Sequence, residues 1–351
     1  MNTVWCLATL AALLAAPCLQ RALAFEDVLE TPAIITPLAE RSPLVGITRA
    51  GERLVTVGQR GHILLSRDGG VSWRQSSVPV SSDLNAVQFV DDKKGWAVGH
   101  DGVVLSTEDG GETWKVVLDG RTVGPLLVEY YEKLALEPER REAFLKEAKL
   151  FEEQGPDKPF MDVYFESTTE GFVIGTFNLI LKTSDGGRTW VPWLDRTENP
   201  RILNFHAIRE VEGDVYIAGE QGTVLKLDRS SQRFVKLQTP YEGSYFGVVG
   251  KPGYVVVFGM RGHVYVSSDR GNHWKKLETN LEIGITGGML ADDGRIVLVS
   301  QTGHVLVSDG NLERLEALAL DERAPAAGIA QSQDAMVTVG FQGVSRVPWV
   351  R

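Results

Sequence analysis

Cysteine is nearly absent from this chain: its 351 residues include two, Cys6 and Cys18. Both lie in an N-terminal stretch whose apolar run, residues 7–16, is too short to span a bilayer. Ala22-Leu23-Ala24 follows as a small-residue cleavage pattern. Residues 1–24 therefore read as a secretory signal peptide, although no lysine or arginine precedes the run. The lipoprotein alternative ranks lower because Cys18 follows Pro17 rather than a small residue. The expected mature chain, residues 25–351, is cysteine-free, which excludes disulfides, thiolate metal sites and cysteine nucleophiles together.

Long hydrophobic runs are missing as well. No later segment reaches 18 uninterrupted apolar residues, so a soluble, periplasmic protein without direct membrane insertion is expected. Positive charge is in deficit: removing residues 1–24 takes away only Arg21, leaving 35 basic against 46 acidic residues, a net charge near −11. Such a surface disfavours nucleic acid as a partner. The sequence also lacks H-E-x-x-H, P-loop and G-x-S-x-G motifs. No catalytic residue, metal site or cofactor is assigned.

What is present is a repeat. Glycine closes an apolar run at positions 58, 99, 175, 219, 259 and 340, with Ser300 in a looser copy, and a second small turn residue follows about three positions later. Five of the six intervals are 40 to 44 residues; the sixth is one such period plus about 35. Short β-type runs at this period mark a propeller with one four-stranded blade per repeat. The expected fold is all-β: a seven-bladed β-propeller with a helical-hairpin insertion between blades 2 and 3.

A second pattern, Ser-x-Asp-x-Gly-x-x-Trp in loose form, precedes the fourth strand of four blades. Its aspartates and tryptophans are Asp68 and Trp73, Asp109 and Trp114, Asp185 and Trp190, and Asp269 and Trp274. In these Asp-boxes the carboxylate caps its own turn, glycine takes the positive φ, and the tryptophan packs between blades. Four copies at one repeat position lie far apart on a ring, which favours a structural role over calcium ligation or acid catalysis. Blades 4, 6 and 7 read as having lost the box. His62, His263 and His304 likewise share one repeat position and cannot converge on one metal unless they line the narrow channel, which favours a structural role.

The seventh repeat lacks a fourth strand, and residues 33–38 are the expected replacement, closing the ring from the other end. The turns between second and third strands share a face with the blade-to-blade links, opposite the Asp-boxes. That face presents a mixed polar and aromatic rim, with Tyr241 and Tyr245 in one link, suited to a peptide or protein partner. Residues 120–160 fall in another link. Leu127, Tyr130, Tyr131 and Leu134 share one helical face, and Phe144, Ala148 and Phe151 another. The insertion stands over the binding face or, equally, serves as packing against the ring.

An enzymatic alternative comes from the Asp-box, which is common in sialidases and other glycosidases. It would gather Arg60, Arg201 and Arg261 around a substrate carboxylate, with Tyr241 or Tyr245 as nucleophile beside Glu220 or Glu282.

On its V-G-x-x-G turns and S-x-D-G-G-x-x-W boxes, namely Gly58, Gly61, Asp68, Gly69, Gly70 and Trp73 with their copies, the chain resembles the photosystem II stability/assembly-factor family of Asp-box (BNR-type) seven-bladed propellers, and in particular its relatives in non-photosynthetic bacteria. The resemblance implies a non-enzymatic assembly factor that docks on a membrane protein or membrane-protein complex from the aqueous side, for these relatives as accessory to an envelope transport system. It also implies an arginine-rich client patch, for which the candidates are Arg60, Arg261, Arg201 and Arg196, with Tyr130 and Tyr131 contributed by the insertion. A monomer is expected when unbound.

Overall fold

The computed structural model describes residues 26–349, so the signal-peptide reading lies outside the described residues. Seven antiparallel sheets follow one another in up-and-down order, six of four strands and the last of three. Blade 1 shows the unit: Leu44–Ala50 innermost, then Arg53–Gly58, Ile63–Ser66 and Arg74–Gln75. The second strands are buried along nearly their whole length, as in Gly95–Gly99 and Ala335–Gly340. They form the middle of the apolar clusters packed between blades. The innermost strand of blade 7, Gly328–Gln331, packs on that of blade 1 and closes the ring.

The recurrent Val-Gly turn has a specific steric cause. A Cβ on Gly58 would sit 2.2 Å from the Pro43 carbonyl oxygen, and one on Gly259 2.2 Å from that of Ser244. In each case the carbonyl leads into the same blade's inner strand. The second glycine meets the outgoing link: a Cβ on Gly61 would lie 2.2 Å from the Val80 oxygen. The spacing seen in sequence is thus the footprint of two main-chain contacts per blade.

In six blades the inner strand begins with a β-bulge, at Val45, Asn85, Met161, His206, Phe246 and Thr286, where the ladder register skips one residue. Bulges redirect side chains, and these line the mouth of a central channel of about 160 Å³. Three of them fasten neighbouring blades. Asn85 Nδ2 donates to Phe160 O (2.9 Å), His206 Nδ1 sits 2.7 Å from Tyr245 O, and Thr286 Oγ1 donates to Ala326 O (2.7 Å).

One expectation fails at the seam. Residues 33–38 form no strand and do not join blade 7. They lie along blade 1, where the Gln75 amide holds both Thr36 N (3.0 Å) and Ile34 O (3.0 Å), and Ala33 N donates to Val78 O. Burial of Ala33 beside Gly61 and capture of the backbone by Gln75 outcompete a strand that Pro37 would interrupt.

The insertion is helical as expected: α1, Gly120–Lys133, and α2, Pro138–Gln154. Asp119 caps α1 by accepting from Arg121 N (2.9 Å), Pro138 opens α2, and Gly155 ends it at φ 71°. Gly124 lets the helices cross closely, since a Cβ there would lie 2.4 Å from Glu152 Cα. Val123, Leu127 and Tyr131 of α1, with Ala148 and Phe151 of α2, bury one shared stripe against blades 2 and 3.

Candidate partner-binding face

The link face is held together by side chains that accept from tip backbones. Asp83 Oδ1 accepts from Arg60 N (2.8 Å), and Asn204 Oδ1 from Phe177 N (2.7 Å). Glu220 in turn accepts from Asn204 N (3.0 Å) and Nδ2 (3.1 Å). These bonds place the turns between second and third strands beside the blade links, as expected.

At these tips the backbone adopts the left-handed conformation on side chains that disfavour it. Arg60 (φ 57°), Asp101 (56°), Phe177 (54°), Gln221 (50°) and Arg261 (55°) occupy the same position in blades 1 to 5. All but the half-buried Asp101 are exposed. Ile202, in the link after blade 3, is at φ 55° as well; a β-branched residue there is a genuine outlier. Nothing in the sequence signalled Ile202, because its strain is set by the link's tertiary path.

Phe177 and Ile202 open onto a groove of about 740 Å³ between α2 and the link from blade 3 to blade 4. Its α2 wall is Arg140, Ala143, Phe144, Lys146, Glu147 and Leu150; the opposite wall runs through Leu194, Asp195, Thr197, Asn199 and Pro200. The floor is braced by a satisfied amide network. Asn178 Oδ1 accepts from Thr197 Oγ1 (2.8 Å) and Asn199 Nδ2 (3.0 Å), while Asn178 Nδ2 donates to Leu194 O (3.1 Å). Asp195 is buried at this wall and accepts from Tyr131 Oη at 3.3 Å. Burial raises its carboxyl above the ordinary range, with the Arg196 charge and hydrogen bonds only partly opposing.

The predicted site residues separate into two sets. Arg60 and Arg261 stand at tips of blades 1 and 5, while Arg201 and Arg196 lie in the link after blade 3, so the four share a face without forming one cluster. Arg201 donates to Gln221 and Arg196 lies 4.9 Å from the Trp193 ring centroid. Tyr131 and Tyr245 are fully buried and offer no contact surface, a correction to their expected role. Tyr131 stacks on Phe144 (4.9 Å) and anchors the hairpin, and burial pushes its phenol pKa far up. Tyr245 faces Tyr241 and Tyr265 inside the ring wall. Tyr130 is half-buried, and Tyr241 stacks on His263 (4.1 Å) while its hydroxyl donates to Met260 O (3.3 Å). Of the glycosidase candidates, Tyr245 is sealed in the core, Glu220 is committed to Asn204, and the Tyr241 hydroxyl donates to Met260 O.

The Asp-boxes are turn caps. Asp68 accepts from Ser72 Oγ (2.6 Å), Ser72 N (2.9 Å) and Ser66 Oγ (2.8 Å), which lowers its pKa to about 2. Asp269, bonded to His273 N and Nδ1, is also near 2. For Asp109 and Asp185 burial works against the charge, and hydrogen bonds from Thr113 and Thr189 outweigh it. The tryptophan N–H of Trp73, Trp114 and Trp274 donates to a glycine carbonyl of its own turn; that of Trp190 is buried with no acceptor among the described residues. Blade 6 keeps more of the box than its sequence suggests, since Asp309 accepts from Glu313 N (2.8 Å) in the same i,i+4 pattern. In the channel, Asp162 pairs with Arg209 and accepts from Ile208 N (2.8 Å), joining blades 3 and 4; burial still raises its pKa. Among the described residues no cluster of three or more His, Cys, Asp or Glu side chains is arranged to hold a metal.

Comparison with known proteins agrees with this architecture. The model of the family described as photosynthesis system II assembly factor YCF48 matches residues 48–135 and 149–310, skipping the turn into α2 and most of that helix. The chloroplastic photosystem II stability/assembly factor HCF136 of Oryza sativa subsp. japonica is 25% identical over 176 residues, 42% of each chain. The photosystem II assembly lipoprotein Ycf48 of Synechococcus sp. is 28% identical over 151 residues, 41% of this chain and 44% of that one. The chain thus spans less than half the length of these curated relatives. A solved structure of YCF48 bound to a D1 peptide superimposes with TM-score 0.64 at 16% identity, covering 91% of this chain and 96% of that one. YCF48 from Cyanidioschyzon merolae gives 0.62 at 15%, covering 90% and 97%.

Proposed function

The chain belongs to the family described as photosynthesis system II assembly factor YCF48, and on that premise we propose that it is a non-enzymatic assembly factor that holds an aqueous segment of a membrane protein on its link face. The observation that carries this reading is the shared left-handed tip conformation of blades 1 to 5 on non-glycine residues, exposed in all but blade 2. Each such residue costs roughly 1–2 kcal/mol relative to glycine. A scaffold alone would place glycine there, as it does elsewhere in the same turns; side chains held at that cost are being displayed. A solved relative of the same fold holds a D1 peptide, so a peptide segment is a natural ligand class for this face. The finer reading is a periplasmic accessory of an envelope transport system. It is supported by the N-terminal signal pattern and by a basic-residue deficit that sets this chain apart from an arginine-patch binder.

The test is photo-crosslinking in intact cells from Arg261 on the link face and from Asp109 on the Asp-box face. Capture of one identified membrane protein from Arg261 and not from Asp109 is expected. Equal capture from both faces, or none from either, would overturn the assignment of the face.

A further inference from the structure

We infer that the groove between α2 and the link from blade 3 to blade 4 is a receptor for one aromatic side chain bearing a polar hydrogen, tryptophan or tyrosine, from a membrane-flanking segment of the partner. This rests on the membrane-protein reading proposed above and specifies how such a partner is gripped.

The first support is the lining. Leu150, Phe177 and Ile202 are 41%, 48% and 38% exposed, and these three large apolar side chains converge on one cavity. Its volume, about 740 Å³, is in the range of sites that enclose a ligand group. The second support is strain: Phe177 and Ile202 both hold positive φ, and Ile202 does so against its β-branch. An aromatic in contact with both would recover apolar burial that neither has in the free protein.

The third is polarity. The buried wall carries one carboxylate, Asp195, which accepts from Tyr131, and among the described residues no other side chain donates to it. A fully apolar occupant would seal the carboxylate from water with Tyr131 as its one side-chain donor among the described residues and its other acceptor sites unpaired, which is costly. Tryptophan or tyrosine supplies large apolar area together with one N–H or O–H. Arg140 and Lys146, exposed on the rim, are placed to lie over an aromatic face. Both residue types concentrate at membrane–water interfaces, where an aqueous-side protein meets its client.

The groove is also a feature of this chain's own elaboration. Five of its six α2 residues, all but Leu150, fall in the segment 136–148 that the family model skips. A client recognised here is therefore selected by the hairpin and the propeller link together, the α2 wall being the part that the family model skips.

The experiment is to pan a phage-displayed library of random dodecapeptides on the intact protein and to measure the affinity of enriched peptides. Enriched sequences are expected to carry Trp or Tyr and to bind about tenfold more weakly to Ile202→Glu or Leu150→Glu, two exposed sites where folding is undisturbed. Arg60→Ala should leave them bound. Replacing the peptide tryptophan by 2-naphthylalanine, similar in size without the N–H, should weaken wild-type binding about tenfold and leave binding to Asp195→Leu unaffected by the swap. Peptides that lose affinity with Arg60→Ala but not with the groove variants would overturn the groove and leave the link-face reading standing. Equal wild-type affinity for tryptophan and naphthylalanine would remove the Asp195 requirement and overturn the inference. Absence of any enriched peptide would overturn both.

Discussion

The two faces of the ring meet the same backbone demand in opposite ways. On the Asp-box face the tight turns reach positive φ mainly through glycine, as at Gly69, Gly70, Gly110, Gly111, Gly186 and Gly187. Their aspartates turn inward to cap the same turn. On the link face the corresponding conformation falls on Arg60, Asp101, Phe177, Gln221, Arg261 and Ile202. Glu212, Gln232, Arg270 and Leu312 are exceptions on the Asp-box face, so the contrast is one of proportion. One face is built to be stable and the other to display side chains at some cost in stability.

The largest effect that sharpens this contrast is on the Asp-box face. Trp114 is buried, edge-on to Phe89, with its N–H on Gly111 O (3.0 Å). Trp114→Ala should lower unfolding free energy by about 3–5 kcal/mol in chemical denaturation while folded protein still captures its partner. A loss below about 1 kcal/mol would mean that the box is not a structural element.

Exchanging glycine between faces should give smaller effects of opposite sign. Gly111→Ala, at φ 89°, is expected to destabilise by about 1–2 kcal/mol. Asp101→Gly, at φ 56°, should stabilise by about 1 kcal/mol. If both destabilise, the tip residues are not strained and the display argument fails.

Acid should act on the faces in separate windows, with the smallest effects. His62, His263 and His304 start third strands on the link face, and burial holds each below the ordinary histidine pKa. The neutral forms are favoured in the fold, so their contribution is complete above about pH 6.5 and shrinks below it as the unfolded chain protonates first. Asp68 and Asp269, near 2 in the fold, contribute fully above about pH 4 and lose that contribution as pH falls toward 2. Melting temperature against pH should fall in two steps. The three His→Gln changes should act only on the upper one, while Asp68→Asn with Asp269→Asn should shrink only the lower, which Asp109, Asp185 and Asp228 share. A single step that both variants shift would mean that the faces do not titrate independently.

The repeat was legible because its cause is local and recurrent. Gly58, Gly61 and their copies mark carbonyl contacts made once per blade, so the steric requirement is printed in sequence at the blade period. The Asp-boxes were legible for the same reason. The helical hairpin was also legible, from Pro138, Gly155 and the apolar stripe. The fate of its tyrosines was not: Tyr130 and Tyr131 are adjacent and alike, and only docking on blades 2 and 3 decides that Tyr131 is enclosed. Residues 33–38 read as a strand by composition, but Gln75 on another element captured them. The Ile202 and Phe177 groove needs α2 and the link together, a juxtaposition of segments some fifty residues apart that no local pattern encodes.

The glycine pair in each blade has a further consequence for how such a surface can change. The fold's demands fall on the glycines, through main-chain oxygens, while the two residues between them meet the solvent or the rim: Gln59-Arg60, His100-Asp101, Met260-Arg261, Phe341-Gln342. Scaffold and message are thus written at alternating positions of the same short turn. A lineage can rewrite the recognition text one blade at a time, two letters per turn, without editing the grammar that keeps the ring closed.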